Sequence, residues 1–175
     1  MRKALHSTGY RVTLADNTID MWLRAEMPTG KNADPGGLYD KLTESTLMGV
    51  ISFAKDSKDY KGQRIAAGVY TMRYEIQPNN GDHLGTAPTR DFVLLMPAAA
   101  DTDPAATLNS DQMIALSKRA SGTNHPLPLN LLAPQGKTFP ALSVDEDGRN
   151  VFSIKLKTAA GEMPIALVVR GTAPQ

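Results

Sequence analysis

GVYTMRYEIQPNNGDHLGTAPTRDFVLLMP, from Gly68 to Pro97, is the stretch whose reading decides the fold. Tyr70, Met72, Tyr74 and Ile76 fall on one parity, and Thr71, Arg73, Glu75 and Gln77 on the other. Strict alternation over this length predicts a strand with one face buried and one wet. Phe92 to Met96 is apolar on both parities, the pattern of a strand covered on both faces. Between them runs a polar connection, Pro78 to Arg90, carrying glycines, asparagines and His83.

Working outward, the remaining segments read as strands between turn-rich loops. Tyr10 to Leu14 and Thr18 to Arg24 alternate about Asp16-Asn17 and predict a hairpin. Pro28 to Gly37 is a breaker-rich loop, and Leu47 to Phe53 reads as a buried strand. Lys55 to Lys61 reads as a solvated charged loop, and Ile65 to Gly68 leads into the alternating strand. Leu127 to Leu132, flanked by prolines, predicts an edge strand. Ala141 to Val144 and Val151 to Leu156 flank an Asp-Gly turn, a hairpin signal. Pro164 to Arg170 is an almost wholly apolar last strand.

One helix is predicted, Asn109 to Ala120. Asn109 with Gln112 makes a capping box, Asp111 and the Lys118-Arg119 pair suit the helix dipole, and Gly122 ends it. Met113, Ile114, Leu116 and Ala120 give it an apolar stripe for docking on a sheet. Eight to nine strands with one helix, and no strand–helix alternation, predict a mostly β domain. The expected form is a single antiparallel β-sandwich, jelly-roll or immunoglobulin-like, over residues 1–175, with 1–8 and 171–175 as loose termini.

Composition narrows function by exclusion. The chain has 175 residues, enough for one core, with 19 basic and 18 acidic side chains interspersed. No basic stripe with interleaved aromatics marks a nucleic-acid binder, and no apolar run approaches a membrane span. Cysteine is absent, which removes disulfides, thiolate metal sites and cysteine nucleophiles. The phosphate-binding, zinc-protease and nucleophile-elbow motifs are missing as well, so no enzyme activity and no cofactor are expected. Asp145, Asp147 and Asn150 lack an EF-hand's distal glutamate and read as an exposed turn. The methionines are scattered at core parities and read as core filling.

The candidate binding residues are Asp82, His83, Arg90, Asp91, His125 and Trp22. The first four share the connection Asn79 to Asp91, with Asn79, Asn80 and Thr86, and loops on a rigid scaffold commonly carry binding groups. The bland alternative is a solvated loop with Arg90 and Asp91 paired locally. His83 and His125, with Asp82 or Asp91, are the groups a metal site would use, but nothing in their spacing requires them to meet, so no metal is expected. Trp22 shares a polar parity with Asp20 and Arg24. That suits a sugar platform, though covering by a loop or the helix is the favoured reading.

Over Ala67 to Met96 the chain resembles uncharacterised exported bacterial β-sandwich proteins, through an A-G-x-Y-T-x-R-Y segment and a polar G-x-H-x-G loop, here Gly81 to Gly85. The resemblance implies the fold and export, hence a periplasmic or extracellular mature domain, and it brings no activity. The N-terminus MRKALHSTGYRVTL is basic without an apolar h-region, so either the domain is cytosolic or its signal has been removed. The leading expectation is a non-catalytic module that binds a small ligand or a protein partner through the loop Asn79 to Asp91. The alternative is a self-assembling surface or filament subunit, a homo-oligomer built by strand exchange through the apolar last strand. A histidine-based metal enzyme ranks third.

Overall fold

The computed structural model describes residues 1–30, 36–78, 87 and 89–172. Strands β1 (Tyr10–Thr13), β2 (Thr18–Leu23) and β3 (Leu47–Phe53) are followed by a small ribbon of β4 (Ser57–Lys58) and β5 (Arg64–Ile65). Then come β6 (Gly68–Ile76), β7 (Asp91–Pro97), helix α1 (Ser110–Ser121), β8 (Pro128–Leu132), β9 (Ala141–Val144), β10 (Asn150–Thr158) and β11 (Gly161–Arg170). Apart from the ribbon, the strands form one nine-stranded antiparallel sheet in the order β1-β2-β3-β6-β7-β8-β11-β10-β9.

Among the described residues the fold is therefore mostly β and antiparallel with one α-helix, but two stacked sheets are replaced by one. The sheet rolls up, bringing its ends together. Tyr10 of β1 meets Phe152 of β10 edge to face at 5.6 Å, and the Met27 N–H donates to the Lys157 carbonyl. All strands of the sheet except β9 contribute apolar side chains to one interior, from Ile19 and Met21 through Met72 and Tyr74 to Ile154 and Leu167. A sandwich and a rolled sheet ask for the same inward parity, so alternation alone does not separate them.

Two strand positions differ from the sequence reading. β8 is not an edge: Pro128, Leu129 and Asn130 pair with β7, and Leu131 and Leu132 with β11. Proline is tolerated because it opens the strand, where a missing N–H costs least. β11, expected to be available for exchange, lies between β8 and β10 with Ile165 to Val169 buried. The Lys55–Lys61 stretch also contains β4, whose hairpin with β5 lies outside the main sheet.

The outer face of β6 is the third difference. Thr71 and Arg73 are fully buried and Glu75 is 6% exposed, although their parity reads as wet. The chain after β7 folds back over them. All five guanidinium N–H groups of Arg73 are engaged: two donate to the Asp101 carboxylate at 2.8 and 2.7 Å, and three to the carbonyls of Ser45, Ala106 and Asp103 at 2.7–2.8 Å. The Thr71 hydroxyl adds a 2.7 Å bond to Asp101. A buried arginine needs such complete pairing, since an unmet charge in the interior costs several kcal/mol.

Helix α1 then lies along β7, with Met113 packed on Leu94 and Met96 and with Ile114 and Leu116 beside them. Its capping box forms as the sequence predicts. Asn109 Oδ1 accepts from the Gln112 N–H at 2.9 Å, and Gln112 Oε1 accepts from the Asn109 N–H at 2.9 Å. Gly122 closes the helix in the left-handed region at φ 66°.

Candidate functional site

The rolled sheet and the helix leave a cavity of about 310 Å³ on the outer face. Its floor is a cross-strand row fixed by register. Glu75 on β6 is opposite Phe92 on β7, and Phe92 is opposite Asn130 on β8. Two residues along each strand, on the same face, Leu94 and Pro128 extend the apolar part of this floor. Helix α1 provides one wall through Ser110 and Ile114, and the chain leaving the helix adds His125 and Pro126. The opposite wall is the turn between β4 and β5, with Asp59, Tyr60, Lys61 and Gln63. Gln77, Pro78 and Ala87, from the two ends of the β6–β7 connection, complete the rim.

Most of this lining is hydrocarbon, and the polar groups within it are unusually placed. Among the described residues three buried side-chain polar atoms lack a hydrogen-bond partner, and two of them, Glu75 Oε2 and Gln63 Nε2, belong to residues of this cavity. An unsatisfied buried polar group costs about 1–3 kcal/mol, so two at one cavity call for an explanation. Burial, and secondarily the charge of Glu44, pushes the Glu75 carboxyl up to about 7, against the weaker pull of the Ile76 N–H and the Ser110 hydroxyl. Burial also raises the Asp59 carboxyl, opposed by the N–H groups of Gln63, Lys61 and Gly62 that hold its turn.

The residues singled out by sequence divide among several places. Asp82 and His83, with Asn79, Asn80 and Thr86, lie outside the described residues. Asp91 is fully buried and serves the fold. It accepts from the Leu38 N–H at 2.7 Å, the Tyr39 N–H at 3.0 Å and the Tyr74 hydroxyl at 2.7 Å, tying the 38–39 turn to β6 and β7. Arg90 donates through Nε to the Gln77 carbonyl at 2.7 Å, which closes the base of the β6–β7 connection. His125 is exposed at the cavity rim. Trp22 is half-buried elsewhere on the outer face, and its ring lies so close to Gly9 that a Cβ there would stand 2.8 Å from the indole nitrogen. The structure thus brings His125 to the cavity and keeps Trp22 and Asp91 out of its walls. Among the described residues no three histidine or carboxylate side chains gather to hold a metal ion.

Glu75, Gln63, Phe92 and Asn130 were not singled out by sequence. One signal for Glu75 was present. Phe92 to Met96 is apolar on both parities, and a strand covered on both faces implies cover over the neighbouring strand too. A second cleft, of about 380 Å³ and lined by Arg24, Lys155 and Lys157, lies at the seam of the rolled sheet. Its lysines are already paired at the surface, Lys155 with Glu162 at 2.6 Å and Lys157 with Glu26 at 3.8 Å.

Comparison with protein-family models, curated proteins and solved structures finds no match for this chain.

Proposed function

We propose that this domain is a non-catalytic binding module, and that the cavity beneath α1 takes a small, largely apolar ligand carrying one polar head. The observation that carries this reading is the pair of unpartnered buried atoms, Glu75 Oε2 and Gln63 Nε2, at a cavity whose apolar lining includes Phe92, Leu94 and Ile114. An apolar pocket of a few hundred Å³ with a few convergent polar groups is the usual form of a small-molecule site. Gln77, Pro78 and Ala87 of the β6–β7 connection line its rim, which supports that connection as part of the recognition surface.

The test is occupancy. Ligand-observed NMR with small aromatic alcohols such as 2-phenylethanol should detect binding, and Ile114→Trp, which fills the cavity from the helix side, should remove it. Equal binding to both forms would place the ligand elsewhere and defeat the proposal.

Self-assembly is a second reading, now favoured at β9 instead of β11. Among the described residues β9 pairs only with β10, and its Leu142 and Val144 are 44% and 64% exposed. An open strand edge with apolar side chains is a template for pairing with another chain. Size-exclusion chromatography with light scattering should then show an oligomer that Val144→Lys dissociates.

A further inference from the structure

We propose that the polar head taken by this cavity is a protonated amine, bound through Glu75, with an aromatic or branched aliphatic body lying on Phe92, Leu94 and Ile114. The inference rests on the small-ligand reading of the same cavity and adds its chemistry.

The argument begins with the charges that face the head position. Glu75 offers an unpartnered carboxylate oxygen from the floor. Glu44, on the segment before β3, acts on it as a like charge, and Asp59 faces the cavity from the β4–β5 turn. Against these stand Lys61, whose exposed chain reaches water, and His125 at the rim. α1 contributes Ser110 here and no charge. Arg73, two residues along β6, is spent on Asp101, so its charge is neutralised before it reaches the cavity.

An anionic head would meet Glu75 and Asp59, with Glu44 adding its like charge to Glu75 from outside the walls, and like charges at close range are strongly unfavourable in a partly dry site. A cationic head does the reverse. It donates to the open oxygen, offsets the Glu44–Glu75 repulsion and lets the buried carboxyl ionise. Charge-assisted bonds of this kind are about twice as strong as neutral ones. The apolar floor row then sets the body, since Phe92 presents a ring edge and face that bulky hydrocarbon can cover.

Ionisation of Glu75 near neutrality gives the proposal a readout that a merely shape-selective pocket lacks. Three probes of one shape separate the possibilities: phenethylamine, 2-phenylethanol and 3-phenylpropionate, titrated into the whole protein by calorimetry or ligand-observed NMR. At pH 8 phenethylamine should bind at least tenfold tighter than the alcohol, and the acid should bind worst. Phenethylamine should lose about tenfold in affinity between pH 8 and pH 6 as Glu75 takes up its proton, and the alcohol should not.

Glu75→Gln should abolish both the amine preference and the pH step, with its fold verified by circular dichroism. His125→Gln should keep the step, which separates the role of Glu75 from that of the imidazole at the rim. Glu44→Gln, outside the cavity walls, should move the midpoint of the step to lower pH. Equal binding of amine and alcohol, or a pH step that survives in Glu75→Gln, overturns the amine assignment and leaves the small-ligand reading standing. Failure of all three probes to bind overturns both.

Discussion

Replacing Glu75 by glutamine should stabilise the ligand-free protein at pH 8. The carboxyl is 6% exposed, one of its oxygens has no partner, and its folded-state value stands at about 7 against an ordinary 4.5. Between those two pH values the folded state holds more protons than the unfolded chain, so stability falls as pH rises from about 4.5 through about 7. The two values lie about 2.5 apart, and at 1.36 kcal/mol for each pH unit this difference amounts to about 3 kcal/mol, fully lost by pH 8. Glutamine copies the protonated shape and cannot ionise, so it escapes the loss. For a chain of this size, about 3 kcal/mol corresponds to a rise of roughly 6–12 °C in melting temperature. Thermal unfolding followed by circular dichroism from pH 4 to pH 8.5 provides the measurement. The two proteins should melt together near pH 4.5 and diverge steadily above it. Curves that stay parallel across the range, or a variant that is weaker at pH 8, would refute the burial argument for Glu75.

Three further perturbations test the frame around the site. Arg73→Met strands the buried Asp101 carboxylate and should cost about 3–5 kcal/mol in urea unfolding, while Arg73→Met with Asp101→Leu should recover much of that loss. Asn109→Ala removes the helix cap and should cost about 1 kcal/mol by thermal melting. Gly171→Ala places a Cβ 1.8 Å from the Asp59 carbonyl oxygen, so it should cost about 1–3 kcal/mol and shift the NMR resonances of the 59–63 turn.

The sequence is most transparent where a local pattern has one physical meaning. β3 and α1 lie where the apolar run, the capping box and the αL glycine put them, because those signals act within a few residues. Alternation also identifies the inward residues Tyr70, Met72, Tyr74 and Ile76, all buried. It says only that two faces differ in polarity, however, and not that the polar one is wet. What covers Thr71 and Arg73 is a segment around Asp101, about 30 residues away, and no spacing announces that partnership. The prolines around 127–132 argue for an edge. The chain meets their demand instead by opening β8 with Pro128 and dividing the strand between two neighbours. The cavity was illegible for a related reason: its floor row joins residues 75, 92 and 130, which meet only when β8 takes that central place.

That central place makes β8 a seam. Residues 10–97 build five strands of the main sheet through mostly sequential pairings, and residues 141–170 build three more as a meander. In the order of the sheet a five-residue strand stands between the two blocks, with three pairings on one side and two on the other, and the roll closes at its other end through Met27 and Lys157. Each block can close its short loops early, because closure entropy is small for neighbours in sequence, whereas the seam joins segments far apart along the chain. The cavity belongs to the first block and the seam strand alone: its lining runs from Asp59 to Asn130 and, among the described residues, takes nothing from 141–170, so the seam's far side can vary without touching the site.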